Sequence, residues 1–286
     1  MPRAKKQTIA IVTDSTASLA PGDAEREGIE VVPLKVIIGA QTYTEGADVT
    51  SDMLADALAS FVPVSTSRPT PEEFVEVYTR LAKAGAKEIV SVHLSAKISG
   101  TIDSARLAAR QVKVPVTVVD TQQVGLGVGF ATGSAARVRA AGGGVKEIVE
   151  AAERAARSTT ISLYVDTLEY LRRGGRVGSA AALIGSALAV KPILTIQDGL
   201  VVPLERVRTA GKALARLEAL SVEAAQTCEH GYQIGIQHLA NEAVAIQVSE
   251  HLATALGRDS VPVDEVGAAI GAHVGPGMIS VTVTPL

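Results

Sequence analysis

Glu88-Ile89-Val90-Ser91-Val92-His93-Leu94-Ser95-Ala96-Lys97-Ile98-Ser99-Gly100-Thr101 reads as a buried strand that ends in hydroxyls and a glycine and turns into a helix over about 100–111. Its run of apolar residues fits a strand covered on both faces, as in a parallel sheet. A strand that stops in this way makes a small anion site, where free backbone N–H groups, short hydroxyl donors and the positive end of a helix dipole converge. One helix cap needs one hydroxyl, and here Ser95, Ser99 and Thr101 stand together, with Gly100 leaving the backbone open to a ligand. A second cluster, Thr66-Ser67-Arg68-Pro69-Thr70, also precedes a helix, which Thr70, Pro71 and Glu73 open with a capping box. The plain readings are a cap at Ser95–Thr101 and a turn at Thr66-Ser67. The functional reading is a shared site for an anionic head group.

Outward from this stretch, Ile9-Ala10-Ile11-Val12-Thr13 reads as a strand stopped by Asp14-Ser15-Thr16, and Val31 to Ile38 as one extended segment. Val49 to Phe61 is amphipathic, with Met53, Leu54, Ala57, Leu58 and Phe61 at helical spacing. Strands at Val116–Val119 and Ile161–Val165 bracket an alanine-rich helix in 124–141, a Gly142-Gly143-Gly144 break and a helix over 145–157. This alternation predicts an α/β fold with a parallel sheet covered on both faces. After Asp166 the pattern changes. A basic glycine loop, Arg172-Arg173-Gly174-Gly175-Arg176, is followed by a small-residue helix at Ala180–Val190 and a strand at Pro192–Ile196. Asp198-Gly199 signals a hairpin into Leu200–Leu204. Two long helices flank Gln233–Gln237, and Met278–Val283 alternates as a last strand. The expected organisation is an N-terminal α/β domain over 1–166 and a C-terminal α+β domain over 167–286.

Composition narrows the functional classes. A chain of 286 residues with 47% apolar content can bury a substantial core. A net charge of -3 in mixed acidic and basic residues, no Trp and 3% aromatics leave no footprint for nucleic acid. Cys228 is the only cysteine, which points to a reducing compartment. The basic start Met1-Pro2-Arg3-Ala4-Lys5-Lys6 leads into an apolar run too short for a signal-peptide core. No stretch reaches the roughly 18–20 apolar residues of a membrane helix. The expectation is a cytoplasmic protein without stable membrane insertion.

Other motifs carry less. The Arg172–Arg176 segment is either a solvated loop or a basic arm for an anionic ligand or a partner. Gly271-Ala272-His273-Val274-Gly275-Pro276-Gly277 is a glycine-rich turn with one histidine, either a structural hydrogen-bonder or a site residue. Gly125-Leu126-Gly127-Val128-Gly129 does not complete a dinucleotide fingerprint in either register, since Phe130 and Thr132 stand where the third glycine belongs. There is no P-loop, no nucleophile elbow and no local zinc signature among His93, His230, His238, His251 and His273. Neither a resident cofactor nor a metal is expected.

These motifs, in order and spacing, resemble the DegV family of bacterial fatty-acid-binding proteins. The resemblance runs from Ile9–Ser15 to Gly271–Gly277. It includes Thr66-Ser67-Arg68-Pro69-Thr70 for the family's Thr-Ser-Gln-Pro-Ser, Leu94–Thr101 for Leu-Ser-Ser-x-Leu-Ser-Gly-Thr, and Tyr170–Arg176 for Tyr-Leu-x-x-Gly-Gly-Arg. It implies two domains with a long-chain, palmitate-like fatty acid in the interdomain cleft. The carboxylate would be held by Thr66 and Ser99, with Arg176 and His273 near it and Ser67, Ser95, Gly100 and Thr101 completing the ligand-binding set. It also implies a carrier rather than an enzyme, with an ATP-dependent fatty acid kinase as partner and the acyl-phosphate feeding phospholipid synthesis. Arg172 and Arg173 are the residues expected to meet that kinase. Arg68 and Ala96 depart from the family pattern. Two other readings stay open: an enzyme using His273 as general base on a small anionic substrate, and a lipid-sensing regulator without a kinase.

Overall fold

The computed structural model describes residues 8–20, 22–183 and 191–286. In chain order the elements are β1 (Ile9–Asp14), α1 (Asp23–Glu27), β2 (Ile29–Val32), β3 (Lys35–Ile38), β4 (Gln41–Thr44), α2 (Ser51–Ala59), β5 (Val64–Ser67), α3 (Pro71–Lys83), β6 (Glu88–His93), α4 (Thr101–Ala109) and β7 (Val116–Asp120). They continue with α5 (Leu126–Ala140), α6 (Val145–Ser158), β8 (Thr160–Tyr164), α7 (Glu169–Arg173), β9 (Lys191–Gln197), β10 (Leu200–Val207), α8 (Ala210–Gln226), β11 (Tyr232–His238), α9 (Glu242–Leu256), β12 (Val263–Glu265), α10 (Ala268–Val274) and β13 (Ile279–Pro285).

Three sheets organise the chain. The first has the order β2-β1-β6-β7 and is parallel throughout. Its apolar strands bury both faces, as the opening stretch predicts. Phe74 and Tyr78 of α3 and Ala105 and Ala108 of α4 cover one face. Residues of α5 and α6 cover the other. The second sheet, β10-β9-β8-β13-β11-β12, is antiparallel except for the β11–β12 pair. Its outer face packs on α8 and α9 through Leu217, Ile236, Leu252 and Val281. Its inner face meets α5 and α6, which therefore serve two sheets at once. Ala131, Ala155 and Ala156 let those helices approach closely, the structural use of the alanine-rich segment. The third sheet, β4-β3-β5, is small and antiparallel.

The strand at 160–164 differs from expectation. The sequence pattern places it in the parallel unit, yet it pairs antiparallel with β13 and β9. A boundary after residue 166 cuts it off from the sheet it builds. Buried apolar runs look alike in both sheet types, and only pairing partners separate them. The extended segment at 31–38 is two strands in two sheets. Pro33 has no N–H to continue a ladder, and the Leu34 N–H goes to Ser15 Oγ at 2.9 Å. The helix expected at Val49–Phe61 buries Leu54, Ala57 and Leu58, but Met53 and Phe61 are exposed. Asp198 and Gly199 close the β9–β10 hairpin with φ of 50° and 77°, the twist that suits a two-residue turn. Of the helix expected at Ala180–Val190, the described part forms a short 3-10 turn, Gly178–Leu183, and the remainder lies outside the described residues.

Candidate functional site

Alternation along β5 sets the first site residue. Ser65 and Ser67 are exposed, while Val64 and Thr66 turn inward. Val36 of β3 is the cross-strand partner of Thr66. Thr66 Oγ1 lies 2.8 Å from Nε2 of His273, across more than two hundred residues of chain. His273 stands in the last turn of α10, so the segment expected as a glycine-rich turn is a helix end followed by that turn. The start of α10 is held by Glu45, whose Oε1 accepts the Ala269 N–H at 2.7 Å and whose other oxygen takes the Ser15 hydroxyl. Burial pushes the Glu45 carboxyl up.

His273 Nδ1 is buried and has no hydrogen-bond partner. It presses on Gly174, where an added Cβ would lie 2.0 Å from Nδ1. Burial, and secondarily the Arg176 guanidinium, hold the imidazole pKa down to about 4, so the ring is neutral at pH 7. Arg176 joins the loops. Its Nε donates to the Ile98 carbonyl at 3.1 Å and its Nη1 to the Gly174 carbonyl. The basic glycine segment is thereby tied to the loop that carries Ser99.

Ser99 Oγ lies 2.9 Å from Thr101 Oγ1 and accepts the Thr101 N–H at 3.3 Å. Thr66, Ser99, Arg176 and His273 all line one cavity, which holds about 850 Å³ of space free of protein atoms, part of it open to solvent. Away from these four residues the wall is mainly aliphatic, with Leu163, Leu171, Ile196, Val201 and Ile270 among its side chains.

The remaining sequence-derived residues are placed otherwise. Ser95 is fully buried, and its hydroxyl donates to the Gly199 carbonyl at 2.7 Å, clasping the β9–β10 turn rather than facing the cavity. Ser67 is exposed and bonds the Arg68 carbonyl at 3.2 Å. Thr101 is buried beneath Ser99. Gly100 lies under Arg68, whose Nη1 would sit 1.9 Å from a Cβ at that position. This departure from the family pattern therefore covers the second hydroxyl loop. Arg172 and Arg173 are exposed on α7 and both pair with Glu169 at 2.7 Å. Together they pull the Glu169 carboxyl down to about 2.

Sequence reasoning missed Gln237, Ser280 and Thr282, which also line the cavity. Period-two alternation in β13 was the available signal, but nothing told which face meets a cavity. It also missed a buried chain in the parallel sheet. Tyr78 OH to Ser91 Oγ is 2.8 Å, Ser91 Oγ to His93 Nε2 is 2.7 Å, and His93 Nδ1 to Asp14 Oδ2 is 2.8 Å. The order Ser–His–Asp imitates a hydrolytic triad. All of these residues are 0% exposed, and Ser91 is shut under Tyr78, so no substrate reaches it. Among the described residues no group of three or more His, Cys, Asp or Glu is placed to hold a metal ion, and no helix is long and apolar enough to cross a membrane.

Fold and site define a mixed α/β protein with an apolar cavity beneath a rim of hydroxyls, one arginine and one neutral histidine. A family model described as "Uncharacterised protein, DegV family" matches residues 8–286. A DegV domain-containing protein of Streptomyces coelicolor is 50% identical over 282 residues, covering 96% of this chain and 98% of its own. A solved DegV family protein from Thermus thermophilus, described for its fatty acid binding, superimposes with a TM-score of 0.89 at 34% identity, covering 98% of this chain and 100% of its own. DegV of Bacillus subtilis, described as a fatty acid binding protein, gives 0.88 at 31% identity, covering 98% and 100%. The chain belongs to the DegV family.

Proposed function

We propose that this protein binds a long-chain fatty acid, with the carboxylate at Thr66, Ser99, Arg176 and His273 and the acyl chain along the aliphatic wall. The observation that carries this reading is the Thr66–His273 hydrogen bond at the edge of an apolar cavity, with Arg176 beside it. The fatty acid binding described for the Thermus thermophilus and Bacillus subtilis relatives supports it.

The energetics divide the labour. Burying about 15 methylenes at ~0.8 kcal/mol each yields a gross ~12 kcal/mol. Each hydrogen bond to a charged carboxylate adds about 1.5–3 kcal/mol. The tail supplies most of the affinity, and the rim sets register and spares the carboxylate burial without partners. The carboxylate also finds a ring able to take a proton: an opposite charge beside His273 raises its pKa from about 4.

On this reading the chain forms two units that meet at the cavity, and the protein is a cytoplasmic carrier. A separate ATP-dependent kinase phosphorylates the bound carboxylate for phospholipid synthesis. Arg172 and Arg173 are the exposed cations nearest in sequence to the Gly174 turn, and they are the residues proposed to guide that kinase.

Native mass spectrometry of the purified protein tests the reading, with an acyl chain retained as the expected result. Thr66→Ala and Ser99→Ala should each weaken hexadecanoate binding by about 1–3 kcal/mol in calorimetry. Wild-type affinity in both variants defeats the head-group assignment. Adding ATP separates the roles. The carrier makes acyl-phosphate only with the kinase, a sensor makes none with it, and turnover by the protein alone restores the enzyme reading.

A further inference from the structure

The cavity floor is the inner face of the six-stranded sheet, and it is not uniformly aliphatic. Leu163, Ser280 and Gln237 form one rung across β8, β13 and β11. Ile161, Thr282 and Gly235 form a rung beside it. Directly opposed residues on neighbouring strands point to the same face. Each rung therefore passes from an aliphatic side chain on β8 to a hydroxyl on β13, and the first ends in an amide on β11. Ile161, Leu163, Ser280, Thr282 and Gln237 all line the cavity.

Gln237 is 2% exposed, and its two ends are not equivalent. Its Oε1 accepts the Leu126 N–H at 3.2 Å. A backbone N–H can only donate, so that contact assigns the oxygen and leaves the amide nitrogen at the other end. This nitrogen, Nε2, is buried and has no hydrogen-bond partner. Gly125 secures the arrangement, since at φ 57° it runs so close to Oε1 that a Cβ would lie 2.6 Å away. A buried amide donor without an acceptor is costly to keep. A plain hydrocarbon chain offers it none.

We propose that the acyl chain this protein is built to take carries an oxygen along its length, as in a hydroxy or oxo fatty acid. That oxygen accepts from Gln237 Nε2, with Ser280 and Thr282 beside it. The proposal rests on the fatty acid reading above and deepens it. The carboxylate rim admits the class, and the polar stripe on β13 and β11 selects within it.

The test is a competition series on the wild-type protein. Hexadecanoate is set against hydroxyhexadecanoates with the hydroxyl moved carbon by carbon along the chain. One position, or two adjacent ones, should bind about tenfold tighter than hexadecanoate, the factor that one net hydrogen bond provides. The remaining isomers should bind more weakly than hexadecanoate, because their hydroxyls are buried against aliphatic wall. Gln237→Met should bring the favoured isomer to within about twofold of hexadecanoate, a gap well below one net hydrogen bond. If hexadecanoate binds and no isomer exceeds it, the inference is wrong and the fatty acid reading stands. A preference that survives in Gln237→Met also overturns it. If no fatty acid of the series binds, the functional reading itself fails. The wild-type series decides even where the variant does not fold.

Discussion

His93 and His273 are both enclosed by protein, and the contrast between their surroundings separates framework from site. His93, at the end of β6, has both ring nitrogens engaged, by Asp14 and Ser91. Its ring stands edge-on to Phe74 with 5.2 Å between centroids. Asp14 in turn accepts the Leu94 N–H at 3.2 Å and the Thr16 N–H at 3.1 Å. Nothing in that network waits for a partner. His273 has one nitrogen bonded to Thr66 and the other buried without a partner. A complete polar network makes a unique core, whereas His273 lies at a cavity with one nitrogen on Thr66 and the other packed against Gly174. The parallel sheet holds the first arrangement, and the wall between the sheets holds the second.

The contrast is most exposed to attack at Asp14. Asp14→Ala strips partners from His93, Leu94 and Thr16 at once, and each buried group left without a partner costs about 1–3 kcal/mol. Urea unfolding should show that loss, while the fraction that remains folded binds hexadecanoate as wild type does. A small stability change, or a binding defect in the folded fraction, would break the distinction.

Acid titration comes next in size. The folded protein keeps His273 near 4, whereas the unfolded chain takes a proton near the ordinary value of 6.5, so the unfolded state binds more protons between those limits. This contribution is intact above pH 6.5 and is lost progressively down to about 4, where it amounts to about 2–3 kcal/mol for the ligand-free protein. His273→Gln should flatten the stability profile over that interval relative to wild type. Bound hexadecanoate should do the same, because its carboxylate raises the imidazole pKa. Identical slopes in all three would show that His273 does not face the carboxylate.

Gly174→Ala sharpens the contrast with a smaller effect. Gly174 has φ -74°, which alanine adopts freely, so the change tests only the space that His273 Nδ1 occupies. The ring must leave its place, disturbing its hydrogen bond to Thr66, at a cost of about 1–3 kcal/mol, the usual range for overpacking. Hexadecanoate affinity should fall with it, and the acid slope assigned to His273 should change. A variant that loses stability but keeps both affinity and slope would make the His273 contact purely structural.

Much of this protein was legible from residue order alone. The parallel sheet followed from apolar runs, the α3 start from a capping box and the β9–β10 hairpin from Asp198-Gly199, and the motifs that carry the family resemblance named Thr66, Ser99, Arg176 and His273, which share one cavity. Those features are local: capping, turn geometry and strand burial are decided within a few residues. What tertiary structure alone decided was partnership. It moved β8 into the antiparallel sheet and spent the Ser95 hydroxyl on Gly199. It completed His93 with Asp14, and it left Gln237 and His273 each with a buried nitrogen unpaired. Whether a polar group is satisfied depends on atoms far away in the chain, 79 residues for His93 and Asp14 and 207 for Thr66 and His273, and no spacing rule in the sequence records where the fold brings them.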